Sequence, residues 1–201
     1  MRHRIALLVT GASGMLLPKH FLQHLARLDE VERVHLVVSK GASQVLKHEL
    51  GEKQTGGSDL LSAAELPAEE LEKVILHRDS ELDAPIASGS YRLTGTAIVP
   101  CSASTLGSLA TGAGRTLVHR AGDVALKERW PLVLAFRETP LSLVHIENMK
   151  RLTLAGATIL PPIPAFYIGG DSLERFVEHW CLRVLDRLAL PEEGAPGLRW
   201  G

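Results

Sequence analysis

The sequence predicts an α/β fold, a three-layer doubly wound parallel sheet of Rossmann-like or flavodoxin-like type. Six short apolar runs, at residues 5–9, 34–38, 74–76, 96–100, 132–136 and 157–160, alternate with stretches whose apolar residues recur at helical spacing. Continuous apolar runs suit strands buried on both faces, and strand–helix alternation suits parallel strands joined by right-handed crossovers. Small and polar residues follow these runs, which is the sheet edge where ligands of such folds bind. With 201 residues, 45% hydrophobic and 22% charged, the chain has the length and apolar content for one domain over residues 1–201.

The run at 5–9 leads into Thr10-Gly11-Ala12-Ser13-Gly14, and Phe21, Leu22, Leu25 and Leu28 then share a helix face. Such a turn presents backbone N–H groups at a positive helix end, a site for phosphate or another anion. It equally serves as a tight turn that needs glycine, and it is not the full G-x-G-x-x-G fingerprint. The second run ends at Ser39-Lys40-Gly41-Ala42, where Ser39 is either a ligand contact or a helix N-cap. No acidic residue stands there to hold a ribose hydroxyl, which weighs against an NAD site. Residues 51–70 are polar and carry Gly56-Gly57, so they read as a surface connection with one short helix; residues 69–81 read as a solvated mixed-charge helix face around the weak third run. The fourth run ends in Pro100-Cys101-Ser102-Ala103-Ser104-Thr105, a cluster of hydroxyls suited to phosphate or flavin polar atoms. Cys101 has no local His partner and reads as a buried, inert thiol.

Arg120, Lys127 and Arg129 follow, beside Asp123 and Glu128, and the fifth run ends in Arg137-Glu138-Thr139-Pro140-Leu141. An Arg–Glu pair there is either a surface ion pair or a functional pair aimed at the ligand crevice. Leu143, Ile146, Met149 and Leu152 predict a packed helix face. Pro161-Pro162-Ile163-Pro164-Ala165-Phe166-Tyr167 is either a rigid connector or a stiff wall for a flat apolar ligand. A C-terminal helix over about 171–189, capped by Ser172, carries the stripe Leu173, Phe176, Val177, Trp180, Val184, Leu185 and Leu188, with Arg183 on its polar side. The tail, 190–201, includes Trp200 and is expected to strap the surface or a neighbouring subunit. His20 and His24 read as exposed helix residues, and there is no Asp-rich diphosphate motif and no G-x-S-x-G elbow, so no metal is expected. With 22 Lys plus Arg against 23 Asp plus Glu, nucleic acid is not the expected partner. No run is long enough to span a bilayer, the N-terminus lacks a signal-peptide pattern, and two cysteines make no disulfide framework, which together predict a cytoplasmic protein.

Taken together, the chain resembles the UbiX-type flavin prenyltransferases. The motifs are Gly11-Ala12-Ser13-Gly14, Val38-Ser39-Lys40, Ala87-Ser88-Gly89-Ser90, Pro100-Cys101-Ser102 and Arg120-Ala121. Then come Asp123-Val124-Ala125-Leu126-Lys127-Glu128-Arg129, Pro131-Leu132-Val133-Leu134, Arg137-Glu138-Thr139-Pro140-Leu141, His145, Glu147-Asn148-Met149, Gly156-Ala157 and Pro164-Ala165-Phe166-Tyr167. The resemblance runs from about residue 5 to 188 and is most specific from 120 to 167. It implies an enzyme that joins a dimethylallyl group, from dimethylallyl monophosphate, to N5 and C6 of reduced FMN. FMN is then a substrate, and the prenylated product serves UbiD-type decarboxylases of ubiquinone synthesis or aromatic acid metabolism. It also implies a large homo-oligomer, a dodecamer, with sites at subunit interfaces. Carried over residue by residue, FMN contacts fall on Gly11, Ala12, Ser13, Ser39, Ser102, Ala103, Ser104, Thr105 and Arg137. Prenyl phosphate contacts fall on Arg120, Lys127, Tyr167 and Arg183, with Glu138 nearby. In that chemistry Arg120 and Lys127 stabilise the leaving group, and Glu138 is the candidate for proton transfer, alone or with the phosphate itself as base.

The sequence departs from the family at Trp130, where a second Arg is common, at Gly122, at Ile168-Gly169-Gly170, and at Leu82, where some relatives carry Trp. These positions bear on the choice of prenyl donor. The nearest rival is an FMN-dependent cysteine decarboxylase, which typically shows an Asn-Thr loop after the fourth strand and a His before it; here stand Ser102, Ala103, Ser104 and Thr105, and residues 83–90 hold no His. A non-catalytic FMN carrier is a further alternative, and the cations Arg120, Lys127, Arg137 and Arg183 exceed what one FMN phosphate needs.

Overall fold

The apolar runs pair into one six-stranded parallel sheet: β1 (His3–Val9), β2 (Val31–Val38), β3 (Val74–Arg78), β4 (Gly95–Cys101), β5 (Leu132–Phe136) and β6 (Thr158–Ile159). The order is β3-β2-β1-β4-β5-β6, the Rossmann order, with its switch point between β1 and β4. Leu7 lies opposite Leu36 on one side and Ala97 on the other. The computed structural model describes residues 2–51, 56–169, 172–190, 192, 194 and 197–199. The helices are α1 (Leu16–Arg27), α2 (Lys40–Leu50), α3 (Gly57–Ala64), α4 (Ala68–Leu71), α5 (Ala103–Thr111), α6 (Leu117–Lys127), α7 (Leu143–Leu154) and α8 (Leu173–Arg187).

Alternation along each strand feeds two cores. Ile5, Leu7 and Val9 pack with Phe21, Leu22 and Leu25 of α1 and Val184 and Leu185 of α8. Ala6 and Leu8 pack on the opposite face with Ala121 and Ala125 of α6 and Leu106 of α5. All seven residues of β4 and all five of β5 are buried, which is why their sequence is apolar without a break. Edge strand β3 is half solvated, with Ile75 and Leu76 exposed. Ser39, Ser102 and Ser172 each accept a backbone N–H as N-caps of α2, α5 and α8.

Several expectations are corrected. Residues 51–70 are not a plain surface connection: α3 and α4 lie there, and Leu60 and Ala64 enter the core. Residues 69–81 form the short α4 and then a strand, so no extended helix face exists there. Of the α7 stripe, Leu152 is buried and Met149 packs half-buried against the core, but Leu143 and Ile146 are exposed, as are the neighbouring Val144 and Leu154. Leu173 is also exposed. His20 and His24 are half-buried, and His24 Nδ1 lies 2.7 Å from Glu192. The tail does more than strap the surface, since Leu190 and Leu198 are buried in the α8 core; Trp200 lies outside the described residues.

Under β2 and β3 sits a polar cluster. His35 Nδ1 lies 2.9 Å from His77 Nε2, and His35 Nε2 lies 2.9 Å from the Tyr91 hydroxyl. Burial, and then the neighbouring charges of His77, Arg4 and Arg33, push His35 down to about 4. In the unfolded chain a His titrates near 6.5. Between those values the unfolded chain binds the extra proton, so stability is full above about 6.5 and falls as pH drops towards 4, by on the order of 2–3 kcal/mol. Urea unfolding at pH 7.5 and 4.5 should show this loss, and His35→Leu should flatten it; an equal pH dependence in the variant would contradict the assignment.

Candidate active site

The sheet's C-terminal edge brings the predicted FMN residues to one crevice. Thr10, at the end of β1, donates its hydroxyl to Pro100 O at 2.8 Å and accepts Ser102 N–H at 2.8 Å. Ser39 N–H donates to Val9 O at 2.9 Å, and Arg137 N–H to Cys101 O at 3.3 Å. Arg137 Nε then reaches across to Ser13 O at 3.2 Å. These bonds lash the ends of β1, β2, β4 and β5 together around the switch point. A Cβ on Gly11 would lie 2.9 Å from Gly41 C and 3.1 Å from its Cα. The β1–α1 and β2–α2 turns therefore touch backbone to backbone, and only glycine fits. Gly11→Ala should force them apart, destabilise the fold by about 1–3 kcal/mol and lower flavin retention. Thermal melting and bound-flavin absorbance check this, and wild-type values for both would refute it.

A residue not anticipated from the sequence belongs to this edge. Glu49, in the last turn of α2, accepts Gly14 N–H at 3.0 Å and Met15 N–H at 2.7 Å. Partial burial opposes its charge, but the Met15 N–H, the Ser13 hydroxyl, the Gly14 N–H and the Arg137 cation together hold it below the usual carboxylate range. It thus supplies the anion that the positive end of α1 attracts. Nothing in the local pattern marks it, since the contact spans 35 residues. The N-termini of α2 and α5, capped by Ser39 and Ser102, open on the same edge. Hydroxyls, close backbone and a guanidinium are a donor set that fits FMN.

The remaining predicted residues lie in separate clefts. Arg120 donates from Nε to Ala87 O at 2.9 Å and from Nη1 to Asp123 at 3.1 Å. Lys127 pairs with Glu128, and a Cβ on Gly89 would sit 2.7 Å from Lys127 Nζ, so residues 87–89 run along both cations. Lys127 lines a cleft of about 500 Å³ with half-buried Trp130 and exposed Leu154. Glu138 faces another, of about 350 Å³, with Phe136, Leu141, Met149 and Pro161, and accepts Thr139 N–H at 3.1 Å. Tyr167 and Arg183 share a third, of about 210 Å³, with the Tyr167 hydroxyl 3.2 Å from His179 Nε2. The structure joins Arg120 to Lys127 along one loop, and Tyr167 to Arg183, but it does not bring the two pairs together within one chain. Of the family departures, Leu82 is exposed and Ile168 is buried.

Burial pushes the Cys101 thiol far above its ordinary value, which suits the inert reading and not a nucleophile. Among the described residues, no three His, Cys, Asp or Glu side chains are grouped to hold a metal, and no helix is long and apolar enough to cross a membrane.

The Flavoprotein family profile matches residues 1–178. A probable UbiX-like flavin prenyltransferase of Streptomyces sp. (strain D7) is 40% identical over 197 residues, 98% of this chain and 91% of that protein. AnUbiX (PadA1), crystallised with FMN and dimethylallyl pyrophosphate, is 38% identical with a TM-score of 0.83, covering 100% of this chain and 98% of that one. A dodecameric FMN-dependent UbiX-like decarboxylase from Escherichia coli O157:H7 is 36% identical with a TM-score of 0.85, covering 98% and 99%.

Proposed function

Since this chain belongs to the UbiX-type flavin prenyltransferases of the Flavoprotein family, we propose that it transfers a dimethylallyl group from dimethylallyl monophosphate to reduced FMN. When bound, the flavin supplies the nucleophilic N5 and C6 positions that receive the group. The observation that carries this reading is the set of cations beyond the FMN crevice. Arg120, Lys127 and Arg183, with the Tyr167 hydroxyl, add to Arg137, and one FMN phosphate does not require them all. Fixed cations at a departing phosphate stabilise the charge that builds as an allylic C–O bond breaks. They do the work that a metal does for diphosphates, and the sequence lacks an Asp-rich motif, so a monophosphate donor fits. Glu138 has one carboxylate oxygen engaged by Thr139 N–H, which leaves the other to take up a proton. Ser39, Ser102, Ala103, Ser104 and Thr105, with Gly11, Ala12, Ser13 and Arg137, hold and orient the flavin.

The four donor-phosphate groups are divided between two faces of the chain, so we assign the complete site to contacts between copies. The exposed apolar residues of α7 support this: Leu154 borders the Lys127 cleft, and an uncovered apolar row favours association. A dodecamer like the Escherichia coli relative is the assembly this reading adopts, with the whole chain as one domain, working in the cytoplasm and passing its product to a UbiD-type decarboxylase. The test is anaerobic mass spectrometry of the flavin after mixing protein, reduced FMN and dimethylallyl phosphate, with the diphosphate run in parallel. Flavin heavier by one isoprenoid unit supports transfer, and the faster donor identifies the substrate. Bound but unmodified flavin with both donors would overturn it in favour of a carrier or a decarboxylase.

A further inference from the structure

The C-terminal tail is built against the donor-phosphate cleft in a way that the prenyltransferase reading does not use. Asp186 of α8 is shared by two guanidinium groups. Arg199 grips it bidentately, Nη1 to Oδ2 at 3.1 Å and Nη2 to Oδ1 at 3.0 Å, while Arg183 reaches Oδ2 from one side at 3.2 Å. Arg199 is itself fixed, donating Nε–H to Glu192 O at 3.1 Å. The tail that carries it is anchored: Leu198 is 1% exposed within the α8 core, and a Cβ on Gly194, at φ +74°, would lie 2.4 Å from Leu182 Cδ1. Arg199 and Leu198 line the same cleft as Tyr167 and Arg183.

Arg183 and Asp186 stand three residues apart on a helix, a spacing at which they pair unaided. An unopposed carboxylate there would draw the Arg183 fork onto itself and cancel its charge. With Arg199 holding both carboxylate oxygens, Arg183 keeps only a lateral bond, and one net positive charge remains on the trio. The geometry points to Arg199 as a positioning residue that occupies Asp186 and so leaves the Arg183 guanidinium available to the phosphate of the prenyl donor. This rests on the prenyltransferase reading of Arg183.

The experiment is a double-mutant cycle on the full chain. Dimethylallyl phosphate binding to the FMN-loaded protein is measured by calorimetry, and turnover by the flavin mass shift. Arg199→Met should weaken donor binding and raise its KM about tenfold, with a smaller change in kcat and unchanged flavin retention. Arg199→Lys should keep most of the affinity. Asp186→Asn added to Arg199→Met should restore donor binding, because the competing charge is gone. A merely structural tail contact would not be rescued this way, and melting curves identify any variant that fails to fold. Wild-type donor affinity in Arg199→Met, or no rescue in the double variant, would overturn the inference. Absence of prenylated flavin with the wild-type protein would instead remove the reading beneath it.

Discussion

Glu138→Gln should slow flavin prenylation by about 10²- to 10⁴-fold while the protein still retains FMN. The substitution keeps the size of the side chain and an oxygen to accept Thr139 N–H, so the local turn survives. It removes the ability to take up a proton. Glu138 follows Arg137, whose Nε bonds Ser13 O across the crevice, and both residues line one cleft. That cleft is lined by the apolar side chains of Phe136, Leu141, Met149 and Pro161. Mass spectrometry of single-turnover mixtures gives the rate. Turnover at the wild-type rate would remove Glu138 from the chemistry.

The second large effect concerns the cations. Lys127→Ala and Arg183→Ala should each lower turnover by about 10²- to 10³-fold, the usual cost of deleting one fixed donor to developing charge. Flavin retention should hold in both, because neither side chain borders the crevice between β1 and β4. Lys127 stands at the end of α6 beside Trp130, and Arg183 lies on the opposite side of the sheet, on α8, with Tyr167.

Much of this arrangement was legible in the sequence because its physical cause is local. A strand buried on both faces must be apolar without interruption, so β1, β4 and β5 announced themselves, and with them the crevice residues that follow each. Ser39, Ser102 and Ser172 could be read as caps because a cap acts within three residues. Other features depend on what lies opposite. The stripe on α7 has the same spacing whether it meets the sheet or another copy, and only Leu152 is fully buried, with Met149 half-buried beside it. Leu60 and Ala64 looked like part of a polar connection, yet α1 and β2 offer them a core. Glu49 reaches the α1 end only through the folding back of α2. Chain order does not record which cleft a helix face lines, so the division of Arg120 and Lys127 from Tyr167 and Arg183 was anticipated only through the resemblance, which implies sites at subunit interfaces.

That division is the centre of the account, and mixed assemblies test it directly. Lys127→Ala and Arg183→Ala chains, each nearly inactive alone, are co-expressed in equal amounts with separable tags, and the doubly tagged oligomer is isolated. If each site takes Lys127 from one copy and Arg183 from another, about a quarter of the sites in a random mixture regain both groups. Flavin prenylation should then return to about a quarter of the wild-type rate. A mixed oligomer as inactive as its parents would show that both residues serve a site from the same chain.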